Sequence, residues 1–200
     1  DKSSFIVYSI IIFIISFLLY KFQALIMYIS TFIMRPIEGK INMGFYKSAQ
    51  NKIKEREDLK VVGITGSFGK TSTKFIVGTI LSERFNVLNT PESYNTPMGL
   101  SKVINNDLTP YHEVFVAELV QPKIGVLTSI GPVHIETFKN IDNIMKTKYE
   151  LIEELPTDGI AIFNYDNEYI KKLADKTFKE KILYGFEDIE KLNIYADNIV

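Results

Sequence analysis

Sixteen consecutive residues near the start of the chain, FIVYSIIIFIISFLLY (5–20), carry no charge and two serines, Ser9 and Ser16, and a second apolar run, 22–34, follows the lone Lys21. No soluble domain of ordinary size exposes such a stretch. At about 1.5 Å per residue the first run is about 24 Å long, short of a hydrocarbon core of about 30 Å, so part of the second run completes the span. The second run alone is too short to cross again, which favours a tilted or interfacial continuation over a hairpin. One transmembrane helix is therefore predicted within residues 5–34. A cleaved signal peptide is the competing reading, but no small-residue cleavage site follows the apolar run. Lys2 precedes the span, whereas Arg35, Lys40, Lys47, Lys52 and Lys54 follow it, an asymmetry that places the rest of the chain in the cytoplasm.

This leaves three segments: a membrane anchor (1–34), a juxtamembrane linker helix (35–59) and one α/β unit (60–200). The linker contains Pro36 and the mixed-charge run KIKEREDLK, and its simplest reading is a solvated spacer. With 23 Lys plus Arg against 24 Asp plus Glu, the net charge of −1 excludes a strongly basic nucleic-acid binder, so no nucleic-acid partner is expected. The absence of cysteine excludes a disulfide scaffold, a thiolate metal site and a thiol nucleophile. The chain begins at Asp1 rather than Met, which suggests a fragment or a processed product.

From residue 60 onward the pattern alternates. Strands are predicted at 61–65, 113–118, 124–129, 159–163 and 181–184, and helices at 70–84, 97–106, 140–155 and 167–176. In the first of these helices Phe75, Ile76, Ile80 and Leu81 lie on one side at helical spacing. Such alternation predicts an α/β fold with a mostly parallel sheet covered by helices, preceded by the membrane helix. One spacing resists this. Only LVQP separates Glu118 from Lys123, yet successive parallel strands need a crossover of about a dozen residues. Either these strands are not sequential parallel neighbours, or a crossover helix has been lost.

The segment GITGSFGKTS (63–72) follows a strand and opens a helix, the context that a phosphate-binding loop requires. Gly66 and Gly69 let the backbone approach phosphate oxygens, with Ser67, Phe68 and Ser72 completing the loop and helix start. Main-chain N–H groups and the positive helix terminus stabilise the anion. Lys70 can reach the terminal phosphates, and Thr71 can place its hydroxyl on Mg²⁺. The strict pattern wants a glycine where Ile64 stands, so the assignment rests on context as well as residues.

The variant ITGSFGKTSTK, followed in order by ESYNTPMG (92–99), TSIGPVHIETF (128–138) and GIAIFNYDN (159–167), resembles the central ATPase domain of the ATP-dependent Mur ligases of peptidoglycan synthesis. The likeness is strongest to the branch that uses D-alanyl-D-alanine. It covers roughly residues 60–180. The resemblance implies ATP and Mg²⁺ as cofactors, and a UDP-muramoyl peptide and a D-amino-acid dipeptide as substrates. ATP would activate the peptide carboxylate as an acyl phosphate, which the amine attacks to form an amide. Residue by residue, Glu118 matches the family's Mg²⁺-binding glutamate, at a strand's C-terminal end where parallel sheets bind ligands. His134 matches the histidine beside a second metal. Lys148 matches the lysine that CO₂ carbamylates into a metal ligand. Asn164 and Asp166 resemble the adenine- and ribose-side motif, and Asn95 and Thr96 resemble substrate contacts. His112, in TPYHE, reads as a surface residue.

Three departures from the family pattern bear on activity. LVQP stands where the family has a further helical segment, which bears on the position of Glu118. The membrane segment and linker stand in place of the N-terminal domain that holds the UDP-sugar. The chain also ends at Val200 without the C-terminal domain that closes over ATP, so these 200 residues are expected to bind nucleotide without completing ligation. Two alternatives remain open: an amide ligase acting on a lipid-linked cell-wall precursor, whose known relative carries a four-cysteine zinc ribbon absent here, and a membrane-tethered nucleotide-binding module without ligase activity.

Overall fold

The computed structural model describes residues 2–91, 94, 96–118, 122–133 and 135–196. Two compact units divide the chain, Asp1–Gly44 and Phe45–Val200. A single helix α1 (Lys2–Lys54) runs through the apolar stretch and on through most of the predicted linker, with Pro36 inside it. It is long and apolar enough to cross a membrane.

The end of α1 is not a solvated spacer. Ala49 is buried, and Ile53 packs with it in a cluster that includes Leu59, Val103 and Ile104. Lys52 Nζ donates to the carbonyls of Ile104 (2.9 Å) and Asn105 (3.1 Å), and Asn105 Nδ2 donates to Phe45 O at 3.0 Å. A lysine placed on the last carbonyls of a neighbouring helix satisfies acceptors that the helix itself leaves open. The mixed charge of KIKEREDLK concealed this role.

In the second unit the chain continues as β1 (Lys60–Thr65), α2 (Lys70–Ser82), β2 (Val87–Asn89), α3 (Pro97–Asn106), β3 (Val114–Ala117), β4 (Ile124–Leu127), α4 (Ile135–Phe138), α5 (Ile141–Glu153), β5 (Ile160–Asn164), α6 (Glu168–Lys176), β6 (Lys181–Gly185) and β7 (Ile194–Tyr195). The seven strands form one sheet in the order β2-β3-β1-β4-β5-β6-β7, and every described pairing is parallel. The predicted α/β fold with a mostly parallel sheet is the one observed. Strands β2 and β7, three and two residues long, lie at the two edges and are too short for a periodicity to show.

Alternate residues of the central strands feed opposite faces. Val61 and Phe115 pack beneath α3 and the end of α1, whereas Val62, Ile64 and Val116 pack on the other side with Leu81 of α2. A sheet covered on both faces needs strands that are apolar throughout, as VVGIT and VFVA are.

The helix α2 does not bury the apolar side that its periodicity marks. Its buried residues are Lys74 and Gly78, while Ile76 and Ile80 are 59% and 66% exposed and Phe75 is also exposed. Of the four residues placed on one side, Leu81 is the one that packs against the core among the described residues. Gly78 faces the sheet because the Asn89 side chain fills the space a Cβ would need. Close approach, not hydrophobicity, sets the rotation of this helix.

The short connection is resolved by strand order and stagger. Strands β3 and β4 are not neighbours, because β1 lies between them. Ala117, the last residue of β3, pairs with Gly63 of β1, and Ile124, the first residue of β4, pairs with Val62. The link must therefore retreat by one register step, about 3.3 Å, and shift sideways by two strand spacings, about 9.6 Å. Six residues, 118–123, are enough in number to cover that distance at about 3.3 Å each. The dozen-residue rule assumes strands in level register, which these are not.

Candidate active site

The phosphate loop sits between β1 and α2, at the C-terminal edge of the sheet, where open parallel sheets bind ligands. Gly69 adopts a left-handed conformation (φ 76°) and occupies the N-cap position of α2. A residue with a Cβ pays strain there. The first-turn N–H groups, including those of Lys70, Thr71 and Ser72, have no partner within the helix, and such groups at a helix start are suited to receive an anion. Lys70 Nζ folds back onto Gly66 O at 2.9 Å.

A second segment, Thr128–Gly131, staples the loop from outside. Ser67 N donates to Ser129 O (2.7 Å), Phe68 N donates to Ser129 Oγ (2.8 Å), and Gly131 N donates to Ser67 Oγ (3.0 Å). Thr128 Oγ1 contacts both Thr65 O (3.2 Å) and Phe68 O (2.9 Å). Gly66 lies so close to Thr128 that a Cβ on it would be 2.1 Å from Thr128 Oγ1. Two sequence motifs sixty residues apart thus form one rigid loop.

Glu118, just beyond β3, is 7% exposed, and its Oε1 lies 3.3 Å from Thr71 Oγ1 and 3.4 Å from Lys74 Nζ. Lys148, on α5, is half-buried and shares a cavity of about 540 Å³ with Thr65, Glu118 and Leu151. Burial holds the Lys148 ammonium below the ordinary lysine range; Lys70 acts in the same direction and Glu118 opposes it. The loop lysine, the carboxylate and Lys148 therefore share one electrostatic neighbourhood.

The chemistry of this donor set fits a small hard cation. A carboxylate and a hydroxyl, both oxygen donors, converge beside the phosphate-binding turn, and Mg²⁺ is usually held by one or two such groups plus phosphate oxygens and water. Among the described residues there is no cluster of three His, Asp or Glu side chains able to hold a metal without a nucleotide.

The remaining predicted residues are placed as follows. Asn164 Nδ2 donates to Thr128 O at 2.9 Å, so it abuts the staple of the phosphate loop. Asp166 accepts backbone N–H groups from Phe186 (2.8 Å) and Glu187 (3.0 Å), which ties β5 to the turn after β6. Thr96 is the N-cap of α3, accepting from Gly99 N at 3.1 Å. His112 caps a local turn, its Nδ1 accepting from Thr109 N at 3.0 Å. Asn95 and His134 lie outside the described residues. Sequence reasoning missed Lys74, which is 1% exposed against Glu118. Its signal was spacing: Lys70, Lys74 and Gly78 recur every four residues, one face of a helix.

A phosphate loop ahead of a helix, with a buried carboxylate from a neighbouring parallel strand, defines the nucleotide-binding class of α/β proteins. Residues 64–199 match the Mur ligase middle domain, and the chain belongs to the Mur ligase family. It is 31% identical over 149 residues to the UDP-N-acetylmuramoyl-tripeptide–D-alanyl-D-alanine ligase of Synechocystis sp., covering 67% of this chain and 33% of that protein. The enzyme of the same name from Mycobacterium leprae is 33% identical over 132 residues, covering 60% of this chain and 26% of its own. Among solved structures, the MurF ligase from Thermotoga maritima in complex with ADP superposes with a TM-score of 0.67 at 30% identity, over 73% of this chain and 37% of that one. The chain thus spans about a third or less of the length of these curated relatives.

Proposed function

We propose that this chain carries the ATP-handling part of an ATP-dependent amide ligase of peptidoglycan precursor synthesis. The observation that carries the reading is the convergence of Thr71 Oγ1 and Glu118 Oε1, 3.3 Å apart, at the start of α2. The phosphate loop binds the triphosphate of ATP, and Lys70 leaves Gly66 O for phosphate oxygens. Mg²⁺, held through Thr71 and Glu118, supplies neutralisation of phosphate charge when bound. Lys148 and His134 are the proposed further ligands of the metal centre. Burial shifts Lys148 in the direction that favours the neutral amine, the form that CO₂ carbamylates, which supports that role for Lys148.

The peptide carboxylate oxygen attacks the γ-phosphorus, the bond to ADP breaks, and an acyl phosphate results. The incoming amine then attacks the acyl carbon, expels phosphate and loses a proton. The protein's contribution is position and charge, not covalent chemistry. The substrates of the reading are a UDP-muramoyl peptide and D-alanyl-D-alanine. Asn164 and Asp166 flank the nucleotide, and Asn95 and Thr96 the substrate. Residues 5–34 anchor the chain in a membrane, with residues 60–200 in the cytoplasm, supported by the basic residues that follow the apolar run.

The test is calorimetric binding of ATP to the full chain in detergent. Mg²⁺-dependent binding that Lys70→Ala abolishes and Glu118→Ala weakens is the expected result, together with ADP formation that depends on UDP-muramoyl tripeptide in the complete enzyme. Glu118→Ala binding ATP as wild type would remove the catalytic reading. It would leave a tethered nucleotide-binding module.

A further inference from the structure

We propose that Lys74 is a positioning residue that serves as an internal counter-charge for Glu118, holding its carboxylate beside Thr71 and yielding it when a divalent cation arrives. The inference rests on the reading of Glu118 as a metal ligand. Both side chains are buried, Lys74 at 1% and Glu118 at 7% exposure, and Lys74 Nζ lies 3.4 Å from Glu118 Oε1. The same oxygen faces Thr71 Oγ1 at 3.3 Å. One carboxylate oxygen thus meets the internal cation and the hydroxyl proposed for the metal.

The hold is loose. Charged hydrogen bonds of this kind close to about 2.7–2.9 Å when optimised. Among the described residues the other polar contact of Lys74 is Pro91 O, also at 3.4 Å, and the ammonium lies 5.4 Å from the centre of the Phe75 ring. An ammonium has three donors to satisfy. Among the described residues, two buried side-chain oxygens nearby in sequence lack partners: Thr90 Oγ1, on the residue before Pro91, and Asn89 Oδ1. The Asn89 amide lies against Gly78, one helical turn beyond Lys74, and a Cβ on Gly78 would be 2.4 Å from Asn89 Oδ1. Orphaned buried acceptors are uncommon and call for an explanation.

Without the ammonium, Glu118 would be a buried carboxylate whose remaining polar side-chain partner among the described residues is the Thr71 hydroxyl, and a divalent cation would become its compensating charge. Lys74→Met removes the charge and keeps most of the stem. The experiment is thermal unfolding of the full chain in detergent, titrated with Mg²⁺ in the presence of a non-hydrolysable ATP analogue, for wild type, Lys74→Met, Glu118→Gln and the double variant.

The expected result is that Lys74→Met is destabilised in EDTA, recovers more on Mg²⁺ addition than wild type does, and half-saturates at an Mg²⁺ concentration lower by about fivefold or more, as close charge pairs couple. The double variant, with neither charge, regains stability and loses the Mg²⁺ response. Equal destabilisation with and without Mg²⁺, and half-saturation unchanged, overturns the proposal. Should Lys74→Met not fold, the double variant decides: folding supports the counter-charge, and failure to fold overturns it. If Glu118→Gln alone responds to Mg²⁺ as wild type does, the metal-ligand reading fails and takes this proposal with it. Loss of that response in Glu118→Gln alongside an unchanged Lys74→Met overturns the role of Lys74 alone.

Discussion

Pro122 packs directly on Gly63: a Cβ built on Gly63 would stand 2.8 Å from Pro122 Cγ and 3.2 Å from Leu151 Cδ1. Gly63 is also the residue that pairs with Ala117, where β3 ends and the short connection begins. The bare backbone of one central-strand residue thus makes room for the return of the chain. Because proline is stiff and backbone-bound, it cannot yield as a long side chain would. Gly63→Ala is expected to lower stability by about 1–3 kcal/mol, the cost of overpacking a filled core. Urea denaturation at constant m-value measures it, and an unchanged midpoint would mean that the connection is free to move.

The two glycines of the phosphate loop are constrained for different reasons and should respond differently. Gly69 has φ 76° but nothing nearer to a Cβ than Thr73 Oγ1 at 4.0 Å. Gly69→Ala therefore costs backbone strain alone, about 1–2 kcal/mol. Gly66→Ala adds a collision with Thr128 Oγ1, which would have to leave Thr65 O and Phe68 O. The expected order of ADP affinity is wild type, then Gly69→Ala, then Gly66→Ala, read by calorimetry. Reversal of the two variants would show that the staple to Thr128 is dispensable.

The parts legible in the sequence were those with local periodicity or local composition. Strand β1, the Gly-rich turn and α2 follow one another within 23 residues, and the mostly parallel fold follows from the alternation around them. The rotation of α2 was not legible, because it depends on Asn89 occupying the space at Gly78 and on Glu118 drawing Lys74 inward, both long-range contacts. The docking of α1 through Lys52 was hidden in a charge run for the same reason. The apparent conflict at LVQP came from treating strand spacing in sequence as adjacency in space. Register, which decides the length a connection needs, leaves no trace in composition.

Asp166 illustrates a residue whose local role can be separated from a ligand role. Its carboxylate accepts from Phe186 N and Glu187 N, and Gly185 leaves no room for a Cβ beside it. Removing a charged acceptor from two backbone donors is expected to cost about 1–3 kcal/mol. Asp166→Ala should therefore lose stability in the absence of any nucleotide, as measured by thermal unfolding. Unchanged stability with weakened ADP binding would assign the carboxylate to the nucleotide alone.

Lys148 gives a pH dependence with a definite sign. Burial, reinforced by Lys70 and opposed by Glu118, lowers its folded pKa below the ordinary 10.5 of an unfolded lysine. Between the two values the unfolded chain binds more protons than the folded one, so stability rises with pH across that window. Below the folded value both states are protonated, and the full penalty of a half-buried ammonium is present. Above 10.5 both are neutral and the penalty is gone. Lys148→Met is therefore expected to be more stable than wild type near neutral pH in CO₂-free buffer, with the difference shrinking as pH rises towards the unfolded value. Bicarbonate should stabilise wild type and leave the variant unchanged, since carbamylation exchanges the ammonium for a carboxylate near Lys70. Chemical denaturation across that pH range, with and without bicarbonate, reads both effects. A stability difference that does not change with pH would show that Lys148 carries no penalty as a cation, and the case for its carbamylation would lose its physical basis.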